Sequence, residues 1–127
     1  VEKFKDMKIS GRCEKYKNNI TLDVGHNPLA AKSLYEEFKD KKINLIYNSY
    51  KDKDYTEVLK ILKPIIKKLY ILQLDDKRVV KEYDLIKVCE NLNIITSTFE
   101  NKLCEDEEYL VFGSFLVVEK FLKMVKK

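Results

Sequence analysis

Short continuous apolar runs alternate along the chain with longer stretches in which apolar residues return every third or fourth position. The runs at residues 20–24 (ITLDV), 43–47 (INLIY), 69–74 (LYILQL) and 109–112 (YLVF) read as buried strands. Between them come Ala30, Ala31, Leu34, Tyr35 and Phe38, then Val58, Leu59, Leu62, Ile65 and Ile66, then Leu85, Ile86, Cys89 and Leu92, and finally Val118, Phe121, Leu122 and Val125. Each set forms one apolar stripe and predicts a helix packed on a sheet. Asn27 is a good N-cap with Pro28 at the first helical position, where its missing N–H costs nothing. Asp54 and Glu57 fit a capping box, and Ser114 caps the last helix. Lysines near Lys41 close the first helix. Residues 93–97 predict a short strand, and residues 4–16 predict an extended segment that pairs back on residues 20–24 across the turn at Asn18 and Asn19. Residues 98–108 show no clear period, and their acidic run at 105–108 predicts a surface loop.

Strands separated by helical stretches of about 10 to 15 residues imply right-handed crossovers. The expected fold is a Rossmann-like three-layer α/β/α sandwich, with a mostly parallel sheet and an antiparallel edge strand from the start of the chain. Ligands of such sheets bind in the crevice beyond the carboxyl ends of the strands. The loops that leave the strands are therefore where chemistry is expected.

Composition narrows the picture. A chain of 127 residues with 45% hydrophobic content is expected to form a single domain, residues 1–127, and its apolar runs exclude disorder. Net charge is +4, carried almost wholly by lysines that alternate with Glu and Asp along the helices. That is the pattern of a solvated face and argues against nucleic acid, which is usually met by clustered Arg and Lys. Cys13, Cys89 and Cys104 are odd in number and widely spaced, so no disulfide framework or zinc site is indicated. Buried structural thiols in a reducing cytoplasm are the expectation. No apolar run approaches the ~20 residues that cross a bilayer, and the opening VEKFKDMK lacks a signal-peptide core. The first residue is Val rather than Met, and the chain is expected to be a piece of something longer.

Average usage would give about nine glycines, and this chain has three, Gly11, Gly25 and Gly113. The last two close strands, where a positive φ or a close approach to a ligand calls for Gly. Asp23 sits at an apolar strand end, where a carboxylate is costly unless paired. Its partners could be amides at the start of the next helix, ligand hydroxyls such as a ribose, or a metal. His26, the only histidine, shares that crevice, either as a contact to a ligand carboxylate or phosphate or as a cap on its loop. No H-E-x-x-H, G-x-S-x-G or P-loop pattern occurs, so any bound nucleotide would need its phosphates held by another domain. Residues 51–54 (KDKD) read as a solvated capping loop. Arg78, one of two arginines, is either an anion fork or half of a surface salt bridge.

Together LDVGHNP, NSYKDKDY and VFGSF resemble the C-terminal domain of folylpolyglutamate synthase and dihydrofolate synthase, in the Mur ligase superfamily. That family reads P-G-R, L-D-G-A-H-N-P, a K-D-K-D loop, an Arg before a helix, and V-F-G-S. The counterparts here are Gly11 and Arg12, residues 23–28, residues 51–54, Arg78, and residues 111–114. Ser10 replaces the family's Pro, and Val24 with Gly25 replaces Gly-Ala. The D-K-D and V-F-G-S elements point to the folate branch rather than the cell-wall branch.

The resemblance implies an ATP-dependent ligase in which a pteroate or folate carboxylate is phosphorylated and L-glutamate attacks the acyl phosphate. The P-loop and the ligands for Mg2+ would lie in a larger N-terminal ATPase domain, with no metal ligand from this chain. By analogy Arg12 meets the ATP phosphates, and Asp23, Gly25 and Asn27 lie toward the nucleoside. His26, Ser114 and Arg78 position glutamate, and His26 and Lys53 are the candidate catalytic groups. The resemblance further implies a cytoplasmic monomer with no nucleic-acid or membrane partner, inactive as an isolated domain. Two alternatives stand beside this reading: a cell-wall ligase domain using a UDP-linked acceptor, and a doubly wound binding module without chemistry.

Overall fold

The structure, a computed structural model, describes residues 13–125. Its strands are β1 (Glu14–Lys17), β2 (Ile20–Asp23), β3 (Ile43–Tyr47), β4 (Ile66–Ile71), β5 (Thr96–Thr98) and β6 (Tyr109–Phe112). Its α-helices are α1 (Pro28–Phe38), α2 (Tyr55–Leu62), α3 (Glu82–Asn91) and α4 (Phe115–Val125). The six strands form one sheet in the order β1-β2-β6-β3-β4-β5, parallel except for the antiparallel edge pair β1 and β2. This is the expected mostly parallel sandwich.

The layers follow from the order of crossing. The steps from β2 to β3, β3 to β4 and β4 to β5 all move the same way across the sheet, so right-handed crossovers put α1, α2 and α3 on one face. There Ala31, Leu34, Val58, Leu62 and Leu85 close over Leu45, Tyr47, Leu69, Leu110 and Phe112. The chain then returns to insert β6 between β2 and β3, and α4 packs Val117, Val118, Phe121 and Leu122 on the opposite face, against Ile20, Leu22, Ile46 and Val111. All residues of β2, β3 and β6 are buried, as a sheet covered on both faces requires.

Local chemistry sets most element ends. Asn27 Oδ1 accepts the Ala30 N–H at 2.8 Å with Pro28 inside the first turn of α1, and Ser114 Oγ accepts the Val117 N–H at 3.3 Å at the start of α4. Asp54 Oδ1 accepts the Glu57 N–H at 3.4 Å, which supplies one side of the expected capping box. Several boundaries differ from the sequence reading. Pro64 stops α2, whose chain tightens into a 3₁₀ turn at Lys63–Ile65, so Ile66 opens β4 instead of extending the helix stripe. The third parallel strand therefore runs over Ile66–Ile71, three residues earlier than its apolar run suggested. The next strand is Thr96–Thr98 rather than 93–97, because Asn93 takes a left-handed turn (φ 61°) that caps α3. The pairing strand at the start of the chain is described over Glu14–Lys17, and the rest of the expected 4–16 segment lies outside the described residues, apart from Cys13.

Register places the strand ends together. Asp23 is level with Phe112, Phe112 with Tyr47, and Tyr47 with Ile71. The residues that leave β2, β6, β3 and β4 therefore emerge side by side at one edge.

Candidate functional site

At that edge the loops are stitched to one another mainly through the backbone. The Lys51 N–H donates to the Arg78 carbonyl at 2.7 Å, and the Val80 N–H donates to the Ser49 carbonyl at 2.9 Å, around an antiparallel bridge between Tyr50 and Val79. Below them the buried Asn48 joins β3 to β4. Its Nδ2 donates to the Leu72 carbonyl at 2.8 Å, and its Oδ1 accepts the Ser49 N–H at 2.8 Å. Gly113 completes the seam at φ +137°, where a Cβ would lie 2.0 Å from the Asn48 carbonyl oxygen. No other residue leaves room for that contact. Gly25 serves a different need. Its Cβ would meet Ala30 Cβ at 2.6 Å and Asp23 Oδ1 at 2.9 Å, so its absence lets α1 pack against its own entry loop.

These loops border an open cavity of about 480 Å³ lined by His26, Tyr50, Lys51, Asp52, Lys53 and Arg78. The lining comes from the exits of β2, β3 and β4 and holds three permanent cations against one carboxylate, which favours an anionic ligand. Among the described residues, the side chains of His26, Lys51 and Lys53 have no hydrogen-bond or ion-pair partner. Arg78 is different. It forms a fork to Asp76, with Nε at 3.0 Å from Oδ1 and Nη2 at 2.7 Å from Oδ2, and its guanidinium lies 5.3 Å from the centre of the Tyr50 ring. Those hydrogen bonds hold the Asp76 carboxyl down at about 2.

The structure thus gathers His26, Lys53 and Arg78 at one cavity. Asp23 is buried, and its carboxylate accepts N–H groups from Gly25 at 2.7 Å and Cys13 at 3.1 Å. Of the partners left open by the sequence, backbone amides are among those it has, and the two named come from the loop and from the residue before β1 rather than from α1. Asn27 and Ser114 cap their helices, Ser114 from a buried position. Arg12 lies outside the described residues, as does Gly11. Tyr50, Asn48 and Asp76 are not singled out as site residues by the sequence, although the first two fall within NSYKDKDY. A lone aromatic in a charged loop, and an acid two residues before one of two arginines, were the available signals.

Away from the cavity, among the described residues no group of three or more His, Cys, Asp or Glu side chains could hold a metal ion, and no helix is long and apolar enough to cross a membrane. Cys89 is buried, and burial pushes its thiol up to about 11. Cys13 and Cys104 are exposed, contrary to the expectation that all three are buried.

No family model matches the chain. Curated relatives do match. The dihydrofolate synthase/folylpolyglutamate synthase of Haemophilus influenzae is 30% identical over 125 residues, which cover 84% of this chain and 29% of the relative. That of Buchnera aphidicola subsp. Baizongia pistaciae is 27% identical over 134 residues, covering 92% of this chain and 32% of the relative. The chain therefore spans about a third of the length of the curated relatives it matches. Among solved structures, Helicobacter pylori folylpolyglutamate synthetase superposes with a TM-score of 0.89 at 50% identity over 92% of this chain and 32% of that one. A bifunctional folylpolyglutamate synthase/dihydrofolate synthase with Mn, AMPPNP and L-glutamate bound superposes with a TM-score of 0.73 at 20% identity, over 94% of this chain and 32% of that one, a likeness of fold alone. With its motifs, fold and relatives in agreement, the chain belongs to the folylpolyglutamate synthase/dihydrofolate synthase family, as the counterpart of its C-terminal domain.

Proposed function

We propose that residues 1–127 are one domain of an ATP-dependent ligase that joins L-glutamate to a pteroate or folate, and that a P-loop ATPase domain supplies the other wall of the active site. The observation that carries this reading is the cationic cavity, where backbone bonds hold the loops and leave His26, Lys51 and Lys53 unengaged. The relatives described above are folate enzymes, which favours this branch over a cell-wall ligase.

The acceptor carboxylate attacks the γ-phosphorus of ATP and ADP leaves. The free amino group of glutamate then attacks the acyl carbon, the C–N bond forms as an N–H bond breaks and its proton passes to solvent, and phosphate departs with the acyl oxygen. Negative charge gathers first on the transferring phosphoryl group and then on the tetrahedral oxygen, and fixed cations in a closed cleft stabilise both. Lys53 serves that purpose from the β3 exit. His26 orients the glutamate amine, and Arg78, with Ser114 at the neighbouring β6 exit, faces the glutamate carboxylates. Arg12 approaches the ATP phosphates, while Asp23, Gly25 and Asn27 shape the loop on the nucleoside side. A divalent cation, expected to be Mg2+, would neutralise phosphate charge and is assigned to the ATPase domain. Closure of the two domains assembles the site, so this domain alone is inactive. The ligase acts as a monomer in the cytoplasm.

The test is glutamate-dependent ADP release by the full-length ligase. His26→Ala is expected to lower kcat/KM for glutamate by about tenfold or more, and only pteroate-type acceptors should support turnover. Undiminished turnover in the variant, or activity with a UDP-linked acceptor instead, would overturn the assignment.

A further inference from the structure

We propose that Asp76 and Tyr50 are positioning residues that hold Arg78 as a preformed receptor for a carboxylate of the amino-acid substrate. This inference rests on the ligase reading above and adds to it two residues that the sequence did not single out.

An arginine whose side chain is 71% exposed ordinarily samples many rotamers, and a ligand must then order it. Arg78 is restrained from two loops at once. Asp76, on the same turn, accepts the Arg78 backbone N–H at 2.8 Å as well as the two guanidinium bonds, so one carboxylate fixes both the backbone and the head group. The guanidinium lies over the ring of Tyr50, from the loop after β3, 5.3 Å from its centre. The Tyr50 backbone is tied to the Arg78 turn by the bridge to Val79 and by the neighbouring bond from Lys51.

The edge used matters as much as the restraint. A guanidinium has five N–H donors, and Asp76 engages Nε and one hydrogen of Nη2. The end-on pair, one hydrogen on each terminal nitrogen, is left intact, and that pair receives a carboxylate in two parallel bonds. Asp76 cancels much of the Arg78 charge, but Lys51 and Lys53 on the same cavity restore an attractive field. The arrangement is built for direction more than for net charge. It suits a planar carboxylate better than the γ-phosphate of a nucleotide, which a flexible lysine can meet as a point charge.

Steady-state kinetics of the full-length ligase, with glutamate and ATP varied separately, test the proposal. Asp76→Asn and Tyr50→Leu are each expected to raise the KM for glutamate roughly fivefold or more, with kcat and the KM for ATP nearly unchanged. Tyr50→Phe, which keeps the ring, should behave as wild type, and Arg78→Lys should fail to restore binding. Melting curves check that each variant is folded, and the two restraints come from different loops, so failure of one variant to fold leaves the other as the test. If Arg78→Ala raises the glutamate KM while Asp76→Asn and Tyr50→Leu leave or lower it, the positioning role falls and the ligase reading stands. If Arg78→Ala has no effect on glutamate, the receptor itself is wrong. A rise in the KM for ATP alone would make the ligand a phosphate and overturn the carboxylate assignment.

Discussion

At the amino ends of the parallel strands, Lys67 donates to both oxygens of Glu107 at 2.8 and 2.7 Å, and Asn44 donates to the same carboxylate at 2.8 Å. Glu108 lies within 4 Å of Lys15 and Lys41, and Asn19 holds the carbonyls of Cys104 and Glu107. At the carboxyl ends the same residue types stand in a different relation. Backbone bonds, two glycines and two helix caps fix the loops, and the cavity's lysines and histidine are left over. Both edges are rich in charge, so charge alone does not mark a site. What distinguishes the carboxyl edge is that, among the described residues, His26, Lys51 and Lys53 of its cavity are not already paired by the protein, and a ligand can complete them.

The sharpest way to break that distinction is to break the seam. Gly113→Ala drives a methyl group into the Asn48 carbonyl at a backbone angle unsuited to L residues, and is expected to cost about 3 kcal/mol or more. Gly25→Ala should cost less, because α1 and the Asp23 side chain can shift and its φ is not positive. Thermal unfolding of the two variants checks the order, and an unchanged Tm for Gly113→Ala would contradict the seam.

A smaller effect is expected at the opposite edge. Bonds from Lys67, then Asn44, hold the Glu107 carboxyl below its ordinary range. A lowered folded value means that Glu107 adds stability above its unfolded pKa and loses it as pH falls through the folded one. Glu107→Gln should therefore lower the Tm slightly at neutral pH, and the difference from wild type should vanish in acid. Solvent screening of this exposed pair keeps the effect small. A difference that grows as pH falls would contradict the assignment.

Much of this was legible in the sequence because it is local. The Asn27–Pro28 start of α1, the Ser114 cap and the fully apolar β3 and β6 all follow from neighbours along the chain. LDVGHNP and KDKD named two of the three loops of the cavity, and Arg78 named the third. What escaped was set by contacts distant in sequence. Ile65 and Ile66 continue a helix-like spacing, and only Pro64 and the pairing of β4 beside β3 turn them out of α2. The sequence predicts a short strand at 93–97, but the bounds of β5, Thr-Ser-Thr with no apolar signal, are set by the edge that Leu69, Tyr70 and Ile71 offer. The acidic run at 105–108 reads as solvated, yet Glu107 reaches across the sheet edge to Asn44 and Lys67. Tyr50 shows no periodicity, and its place beneath Arg78 depends on two loops meeting.

The most direct test of the contrast between the edges is the kcat/KM for glutamate of the full-length ligase carrying Lys53→Ala at one edge or Lys67→Ala at the other. The expected result is a loss of about tenfold or more for Lys53→Ala with Lys67→Ala close to wild type. Equal losses, or a loss confined to Lys67→Ala, would contradict the claim that the carboxyl-edge cavity, with its unengaged lysines, forms the working face of this domain.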